Sequence, residues 1–142
     1  MTQKLDERIQ LLDPIRFANQ HLLPRLEVTP VTDPVAVHVT CSTTKQGLGD
    51  ELIALARHCS TQVVVPKDII CCGFAGDKGF MLPELNASAL APLKEQASGC
   101  TEGISTSRTC EIGLSRHAEI PYHSMLYLLD RVSRSKTAAQ TH

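Results

Sequence analysis

Short apolar runs rich in β-branched residues alternate along the chain with longer stretches in which apolar residues recur at helical spacing. The run Val-Ala-Val-His-Val-Thr at 35–40 is of the first kind. Such runs predict strands, and the spaced stretches predict amphipathic helices. Strands are predicted at residues 35–40, 63–65, 102–106 and 120–122. Helices are predicted at residues 14–22, 48–59, 83–97, 110–118 and 125–132.

Local signals mark several boundaries of these elements. Asp13 precedes a proline and is placed to cap the first helix, because proline is favoured at the first helical position. Residues 42–47 are polar and predict a turn. Pro92 must kink the helix at 83–97 or begin a new turn. Thr109 is expected to cap a helix that begins at Cys110.

Alternating strands and helices predict an α/β fold, because right-handed crossovers between parallel strands place helices on both faces of a sheet. We expect a single domain with a mainly parallel, Rossmann-like or flavodoxin-like sheet of about four strands. Residues 14–134 would form this domain. Residues 1–13 are expected to be a flexible N-terminal segment, and residues 135–142 a disordered tail.

Four of the six cysteines follow predicted strands. Cys41 ends the first strand, the adjacent Cys71 and Cys72 lie in the loop after the second, and Cys110 lies just after the third. The carboxyl ends of parallel strands share one edge of a sheet, so the four thiols should meet in one crevice. Four thiolates suit a zinc ion or an iron–sulfur cluster. A redox-active vicinal dithiol and inert buried thiols are the alternatives.

Other residues near the predicted crevice are candidate supporting groups. Gly73 lets the cysteine loop turn sharply, and Lys78 and Arg108 could offset the charge of a thiolate-ligated centre. His123 precedes a helix beside the crevice and is a candidate for orienting a ligand. Ordinary exposed surface residues are the alternative for the two cations. Cys59 and Cys100 are expected to be buried in the core.

Composition excludes several classes of partner. The net charge is -1, with 14 Lys and Arg against 15 Asp and Glu, so nothing favours binding to nucleic acid. No apolar run approaches the length of a transmembrane helix, and the N-terminal residues lack the apolar core of a signal peptide. Six cysteines in such a chain indicate reduced or metal-bound thiols and a cytoplasmic location.

The order Cys41, then Cys71-Cys72-Gly73, then Cys110 resembles the cysteine-rich CCG domain of heterodisulfide reductase subunits, glycolate oxidase iron–sulfur subunits and anaerobic glycerol-3-phosphate dehydrogenase. Three stretches are similar, more narrowly, to the C-terminal end of bacterial FAD-linked, iron–sulfur D-lactate or D-2-hydroxyacid dehydrogenases. They are Cys-Cys-Gly-Phe-Ala-Gly-Asp-Lys-Gly-Phe at 71–80, Ser-Thr-Ser-Arg-Thr-Cys-Glu-Ile-Gly at 105–113 and Tyr-Leu-Leu-Asp at 127–130.

This resemblance covers about residues 14–132 and implies an electron-transfer module whose cluster, of the 4Fe-4S kind, is held by the four cysteines. It implies that FAD and ferredoxin-like domains lie upstream in a parent oxidoreductase, which takes hydride from a D-2-hydroxyacid and passes electrons to an acceptor that the sequence does not identify. The chain would then be a C-terminal fragment, inactive alone, in the cytoplasm or at the periphery of the inner membrane through its parent.

One position departs from the family pattern. The motif of the family ends Cys-x-x-Cys, whereas Cys110 is followed here by Glu-Ile-Gly, so Gly113 stands where a fifth thiol is expected. Four thiols leave a cubane cluster, zinc, an empty site or a site completed by another part of the parent enzyme. The competing functions are a structural or docking domain with a zinc-bound or metal-free site, and a thiol–disulfide switch.

Overall fold

The computed structural model of the protein describes residues 8–136. The helices in this range are α1 (Pro14–Phe17), α2 (Cys41–Lys45), α3 (Gly49–Cys59), α4 (Lys78–Met81), α5 (Pro83–Ala89), α6 (Leu93–Gln96), α7 (Arg108–Ala118) and α8 (Met125–Val132). A π-helical turn (Ala18–Leu22) and a 3-10 turn (Leu23–Arg25) continue α1. The strands are β1 (Leu26–Val28), β2 (Val35–Val37), β3 (Val63–Val64), β4 (Glu102–Ser105), β5 (Tyr122–Ser124) and β6 (Ser133–Ser135).

A four-stranded parallel sheet in the order β3-β2-β4-β5 forms the centre of the molecule. Val35 pairs with Val63 on one side of β2, and Ala36 pairs with Gly103 on the other. The predicted α/β fold with a parallel sheet of about four strands is therefore confirmed. A separate antiparallel pair, β1 with β6, was not predicted from the sequence.

Helices cover both faces of the sheet because successive side chains of its strands point in opposite directions. Val35 and Val37 belong to one buried cluster with the apolar faces of α3 and α8. Ala36, between them, belongs to a second cluster that contains residues of α7, the α5–α6 region and the cysteine loop. One face of the sheet therefore supports the fold, while the other also supports the segment that carries Cys72.

Two predicted boundaries hold and others shift. The Asp13 side chain accepts a hydrogen bond from the Ile15 amide at 2.8 Å, as expected for the cap of α1. The helix predicted at 83–97 is interrupted before Pro92 and forms α5 and α6. The predicted start at Cys110 is wrong, because α7 begins two residues earlier at Arg108 and Ser107 is its N-cap residue.

Two further segments differ from the sequence prediction or extend it. Residues 41–45 are helical where a polar turn was predicted, because the Thr40 side chain caps them by accepting a hydrogen bond from the Thr43 amide. Strand β6 ends at Ser135, one residue into the segment predicted as a tail. Residues 1–7 and 137–142, which carry most of the two predicted terminal segments, lie outside the described range.

The strand order reverses between β2 and β4. The connection after β2 leads through α3 to β3 on one side, and the chain later returns to β4 on the other side and continues to β5. The loops after β2 and β4 therefore diverge and leave a crevice outside their carboxyl ends, which is where such sheets bind ligands. Over residues 8–136, no helix is long and apolar enough to cross a membrane.

Cys59 lies fully buried on α3, as the sequence predicted, and burial raises the pKa of its thiol to about 11. An unfolded cysteine ionises near pH 8.5, so the unfolded state loses its proton first. The stability that the protonated thiol contributes is complete below about pH 8.5 and is lost as the pH rises toward 11.

We expect denaturant unfolding between pH 8 and 11 to show a steeper loss of stability for the native chain than for Cys59→Ala. Parallel pH profiles would contradict this assignment.

Candidate functional site: a thiol-lined cleft

A cleft of about 180 Å³ lies at the carboxyl ends of β2 and β4, where the strand order reverses. Three stretches of chain supply its lining: the start of α2, the loop around the adjacent cysteines, and the start of α7. All four cysteines predicted to meet are among the residues that line it. The lining consists of Thr40, Cys41, Ser42, Cys71, Cys72, Phe74, Ala75, Gly76, Ser107, Thr109 and Cys110.

The four thiols divide into two exposed and two buried groups. Cys41 and Cys71 are exposed at the cleft, whereas Cys72 and Cys110 are 4% and 8% exposed. The sulfurs of the buried pair lie 2.9 Å apart in a hydrogen bond, and all six cysteines are free. This contact therefore joins two cysteines that are 38 positions apart in the sequence.

Threonine hydroxyls hold the ends of β2 and β4 together below the cleft. The hydroxyl oxygen of Thr40 lies 2.8 Å from that of Thr43 and 3.0 Å from that of Thr106. Thr43 and Thr106 are themselves joined at 2.8 Å, which closes a triangle of three hydroxyl groups. This triangle fixes Cys41, the first residue of α2, relative to the start of the loop that leads to Cys110. Thr40 also caps α2, a role that a threonine at the end of the predicted strand could have suggested.

The cysteine loop lies tightly against α5. Gly73 has a φ of +72°, and a Cβ at this position would lie 2.5 Å from the carbonyl oxygen of Leu85 and 3.0 Å from the Cβ of Ala89. Gly73 therefore meets two separate demands, a left-handed conformation and a close backbone approach. Its amide donates a hydrogen bond to the Cys71 sulfur at 3.4 Å.

Asn86 joins α5, α7 and the cysteine loop. Its side chain is 3% exposed and donates a hydrogen bond to the carbonyl oxygen of Cys72. A Cβ on Gly113 of α7 would lie 2.5 Å from the amide nitrogen of Asn86. Gly113 thus leaves the space that Asn86 occupies. No local sequence signal identifies Asn86, because its role depends on contacts with residues 14 and 27 positions away.

Aromatic packing anchors the other end of the loop. Phe74 is 3% exposed and its ring meets that of Phe80 edge to face, with centroids 4.7 Å apart. The Gly79 amide donates to the carbonyl oxygen of Phe74 at 2.8 Å, which closes the loop onto α4. The loop is therefore held at both ends, and its cysteines are presented from a packed segment.

The hydrogen bond between the buried thiols shifts their pKa values in opposite directions. The hydrogen bond with Cys110 lowers the pKa of Cys72 to about 6, with support from the Phe74 amide and against the effect of burial. The same hydrogen bond raises the pKa of Cys110, and burial and the charge on Cys72 raise it further. The two thiols therefore titrate as a coupled pair, in which the hydrogen bond favours the thiolate form of Cys72 over that of Cys110.

The predicted supporting residues lie outside the lining of the cleft. Gly73 shapes the loop from behind, and Lys78 is exposed at the start of α4. Arg108 pairs with the buried carboxylate of Glu111 at 3.0 Å. Arg108 and His123 line a neighbouring cavity of about 580 Å³ together with Thr106, Glu111, Ser124 and Tyr127. The residues that line the thiol cleft include no Asp, Glu, Lys, Arg or His.

Metal-binding geometry is not preformed in the cleft. In the described range, no three His, Cys, Asp or Glu side chains are grouped closely enough to hold a metal ion. Two sulfurs bound to one tetrahedral zinc ion lie about 3.8 Å apart, so the pair at 2.9 Å would have to separate. The donor chemistry nevertheless fits a soft metal centre, since four thiols face a space free of carboxylates.

Two cysteines and one histidine outside the cleft lining belong to the core. Cys59 and Cys100 are buried away from the cleft, and burial raises the pKa of each thiol. His38 is 4% exposed, and burial lowers the pKa of its imidazole to about 4. Its Nε2 atom has no hydrogen-bond partner in the structure. These residues therefore contribute to packing and do not reach the thiol site.

The fold and the site together define a cysteine-rich α/β protein with a thiol cleft at the reversal of its strand order. Comparisons with known protein families, curated proteins and solved structures find no match.

Gly73→Ala and Gly76→Ala form a matched pair of tests for the loop. Both glycines have a left-handed φ, but a Cβ on Gly76 meets nothing within 4 Å. We expect Gly76→Ala to lower the free energy of unfolding by about 1 kcal/mol, the cost of the left-handed conformation. Gly73→Ala adds a clash with the Leu85 carbonyl, so about 3 kcal/mol is expected. Chemical denaturation measures both, and equal losses would show that the approach to α5 is unimportant.

Gly113→Ala tests the position of Asn86. The added methyl group displaces the Asn86 amide and breaks its hydrogen bond to the Cys72 carbonyl oxygen, with an expected loss of about 2 kcal/mol. Gly99→Ala is the control, because a Cβ there meets nothing within 4 Å. Hydrogen exchange of the cysteine loop should accelerate in Gly113→Ala and stay unchanged in Gly99→Ala. Unchanged exchange in both variants would exclude Asn86 as the residue that holds the loop.

Proposed function

We propose that this chain is an iron–sulfur electron-transfer module of the CCG type. The convergence of Cys41, Cys71, Cys72 and Cys110 on one cleft is the observation that supports the proposal. Four thiols from three distant segments are more than packing requires, since they surround a space instead of filling one. An iron–sulfur cluster takes cysteine thiolates as its ligands and supplies reversible one-electron chemistry when bound.

The cleft suits a negatively charged centre even though it contains no cation. Cys110 lies in the first turn of α7, an eleven-residue helix whose N-terminal amides carry partial positive charge. Ser107 hydrogen-bonds to the Cys110 sulfur, and the hydroxyl groups of Thr40, Ser42 and Thr109 also face the cleft. These dipoles can stabilise thiolates that Lys78 and Arg108 were expected to neutralise.

Four ligands, and not five, are proposed for this chain. Gly113 replaces the last motif cysteine, and Asn86 occupies the space beside it while holding the Cys72 carbonyl. A cubane cluster matches four thiols, and zinc is the alternative occupant because it uses the same donors. Binding of either requires the sulfurs of Cys72 and Cys110 to move apart from their 2.9 Å contact.

Partner domains follow from the same proposal. Large apolar side chains remain exposed directly before the adjacent cysteines and from α4 to the first turn of α5. They are Ile70, Phe80, Met81, Leu82 and Leu85. We propose that this surface faces FAD and ferredoxin-like domains of a cytoplasmic D-2-hydroxyacid dehydrogenase, the class that the sequence resembles. The module would relay electrons from those domains and would oxidise no substrate by itself.

Anaerobic reconstitution with ferrous iron and sulfide tests the proposal on the 142-residue chain. We expect thiolate-to-iron charge-transfer absorbance and about four iron atoms per chain, as for a cubane cluster. Cys110→Ala should lose most of the bound iron, whereas Cys59→Ala, which removes a thiol outside the cleft, should retain it. Circular dichroism confirms that both variants are folded.

One result would favour a structural zinc site over the iron–sulfur proposal, and another would reject metal binding by this cleft. One zinc ion per chain in the freshly purified protein, with no iron taken up on reconstitution, would replace the electron-transfer function with a structural one. Iron uptake no greater than that of a variant with alanine at all four cleft cysteines would reject ligation by this site.

A further inference from the structure

The two buried sulfurs of the cleft are close to bonding distance. Cys72 and Cys110 approach to 2.9 Å with both thiols free. A disulfide bond is about 2.05 Å long, so the sulfurs need to approach by roughly a further 0.9 Å. Nothing lies between them, because they are in direct hydrogen-bond contact. The pair therefore needs only a small movement to form a disulfide.

The cleft gives a small molecule access to this pair. Cys41 and Cys71 are exposed in the same lining, so the cleft opens to solvent on the side of the exposed thiols. Its volume of about 180 Å³ admits only a compact reagent. The remaining lining is made of hydroxyl groups, backbone and one phenyl ring, and it offers no ion pair to a charged reagent.

We propose that the cleft is a thiol–disulfide exchange site for compact, uncharged disulfides, with Cys72 and Cys110 as its reactive pair. In the first step the Cys72 sulfur attacks one sulfur of a disulfide RSSR, forms a mixed disulfide with it and releases one RSH. In the second step the Cys110 sulfur attacks the Cys72 sulfur and releases the second RSH. Two thiols are oxidised to one disulfide and RSSR is reduced to two RSH, so atoms and electrons balance.

Other pairings of the cleft thiols are less favourable. Cys71 and Cys72 are adjacent, and a disulfide between neighbours closes a strained ring. Cys41 is exposed at the start of α2 and is anchored there by the threonine triangle. Cys72 and Cys110, by contrast, are held in direct sulfur-to-sulfur contact at 2.9 Å. The location of the disulfide is therefore a specific consequence of the packing.

This exchange activity does not require a bound cluster, but it uses two of the four proposed ligands. A chain oxidised at Cys72 and Cys110 keeps only Cys41 and Cys71 for a metal. The activity would therefore control the availability of the site if the proposed function holds, and would stand alone if it does not. The two proposals have separate readouts, bound iron for one and the identity of a disulfide for the other.

The test uses the reduced, chelator-treated 142-residue chain and bis(2-hydroxyethyl) disulfide as the probe. After a timed reaction, free thiols are alkylated and the peptides are mapped by mass spectrometry. We expect the peptides of Cys72 and Cys110 to be linked, the free thiols to fall from six to four, and two molecules of 2-mercaptoethanol to be released per chain. Added dithiothreitol should restore all six thiols.

Alanine variants test whether the disulfide forms specifically between Cys72 and Cys110. Cys41→Ala and Cys71→Ala remove exposed thiols of the same cleft and should still form the Cys72–Cys110 disulfide. Cys110→Ala removes the resolving sulfur and should accumulate the mixed disulfide on Cys72. Cys59→Ala, a change outside the cleft, should behave as the native chain does.

Two outcomes would overturn the proposal. In one, the native chain carries stable mixed disulfides on Cys41 and Cys71 while Cys72 and Cys110 remain fully alkylated. In the other, a disulfide joins Cys71 to Cys72 or involves Cys41 as the main product. Because the native chain alone distinguishes these outcomes, a variant that fails to fold does not affect the conclusion.

Discussion

The reversal of strand order between β2 and β4 is the constraint on which the site depends. Parallel strands end at the same edge, and the two central strands send their connections in opposite directions. A crevice remains between those connections because neither of them can cover it. Cys41 follows one of the two strands and Cys110 follows the other. The triangle of hydroxyl groups from Thr40, Thr43 and Thr106 then fixes the two strand ends at hydrogen-bond distance.

The third side of the cleft has a different origin. The loop with Cys71 and Cys72 reaches the crevice because it packs on α5, and residues without side chains allow that packing. Gly73 permits contact with the Leu85 carbonyl, and Gly113 permits Asn86 to reach the Cys72 carbonyl oxygen. Substitution at either glycine would move the loop without touching a thiol. The positions of the sulfurs are therefore set by backbone contacts more than by the cysteines themselves.

Sequence periodicity was enough to predict the parallel sheet and the meeting of four distant cysteines, because both follow from where apolar runs end. The buried roles of Cys59 and Cys100 were also predictable from their place in the pattern. Other features depend on distant contacts that periodicity does not encode. Asn86 has no local signature, and Arg108 turns to the buried Glu111 instead of the thiols. A charge in a loop near a site does not determine which way its side chain extends.

The cleft as it stands is suited to sulfur chemistry that begins with a hydrogen-bonded pair. A hydrogen-bonding proton lies between Cys72 and Cys110, and the contact of their sulfurs at 2.9 Å is too short for two ligands of one ion. Ligation of a soft metal would require that proton to leave and the sulfurs to separate, so metal affinity must rise with pH. Disulfide formation requires the opposite movement, toward closer contact. Because the same two atoms serve both reactions, each excludes the other, and the supply of metal and of oxidant would compete for one site.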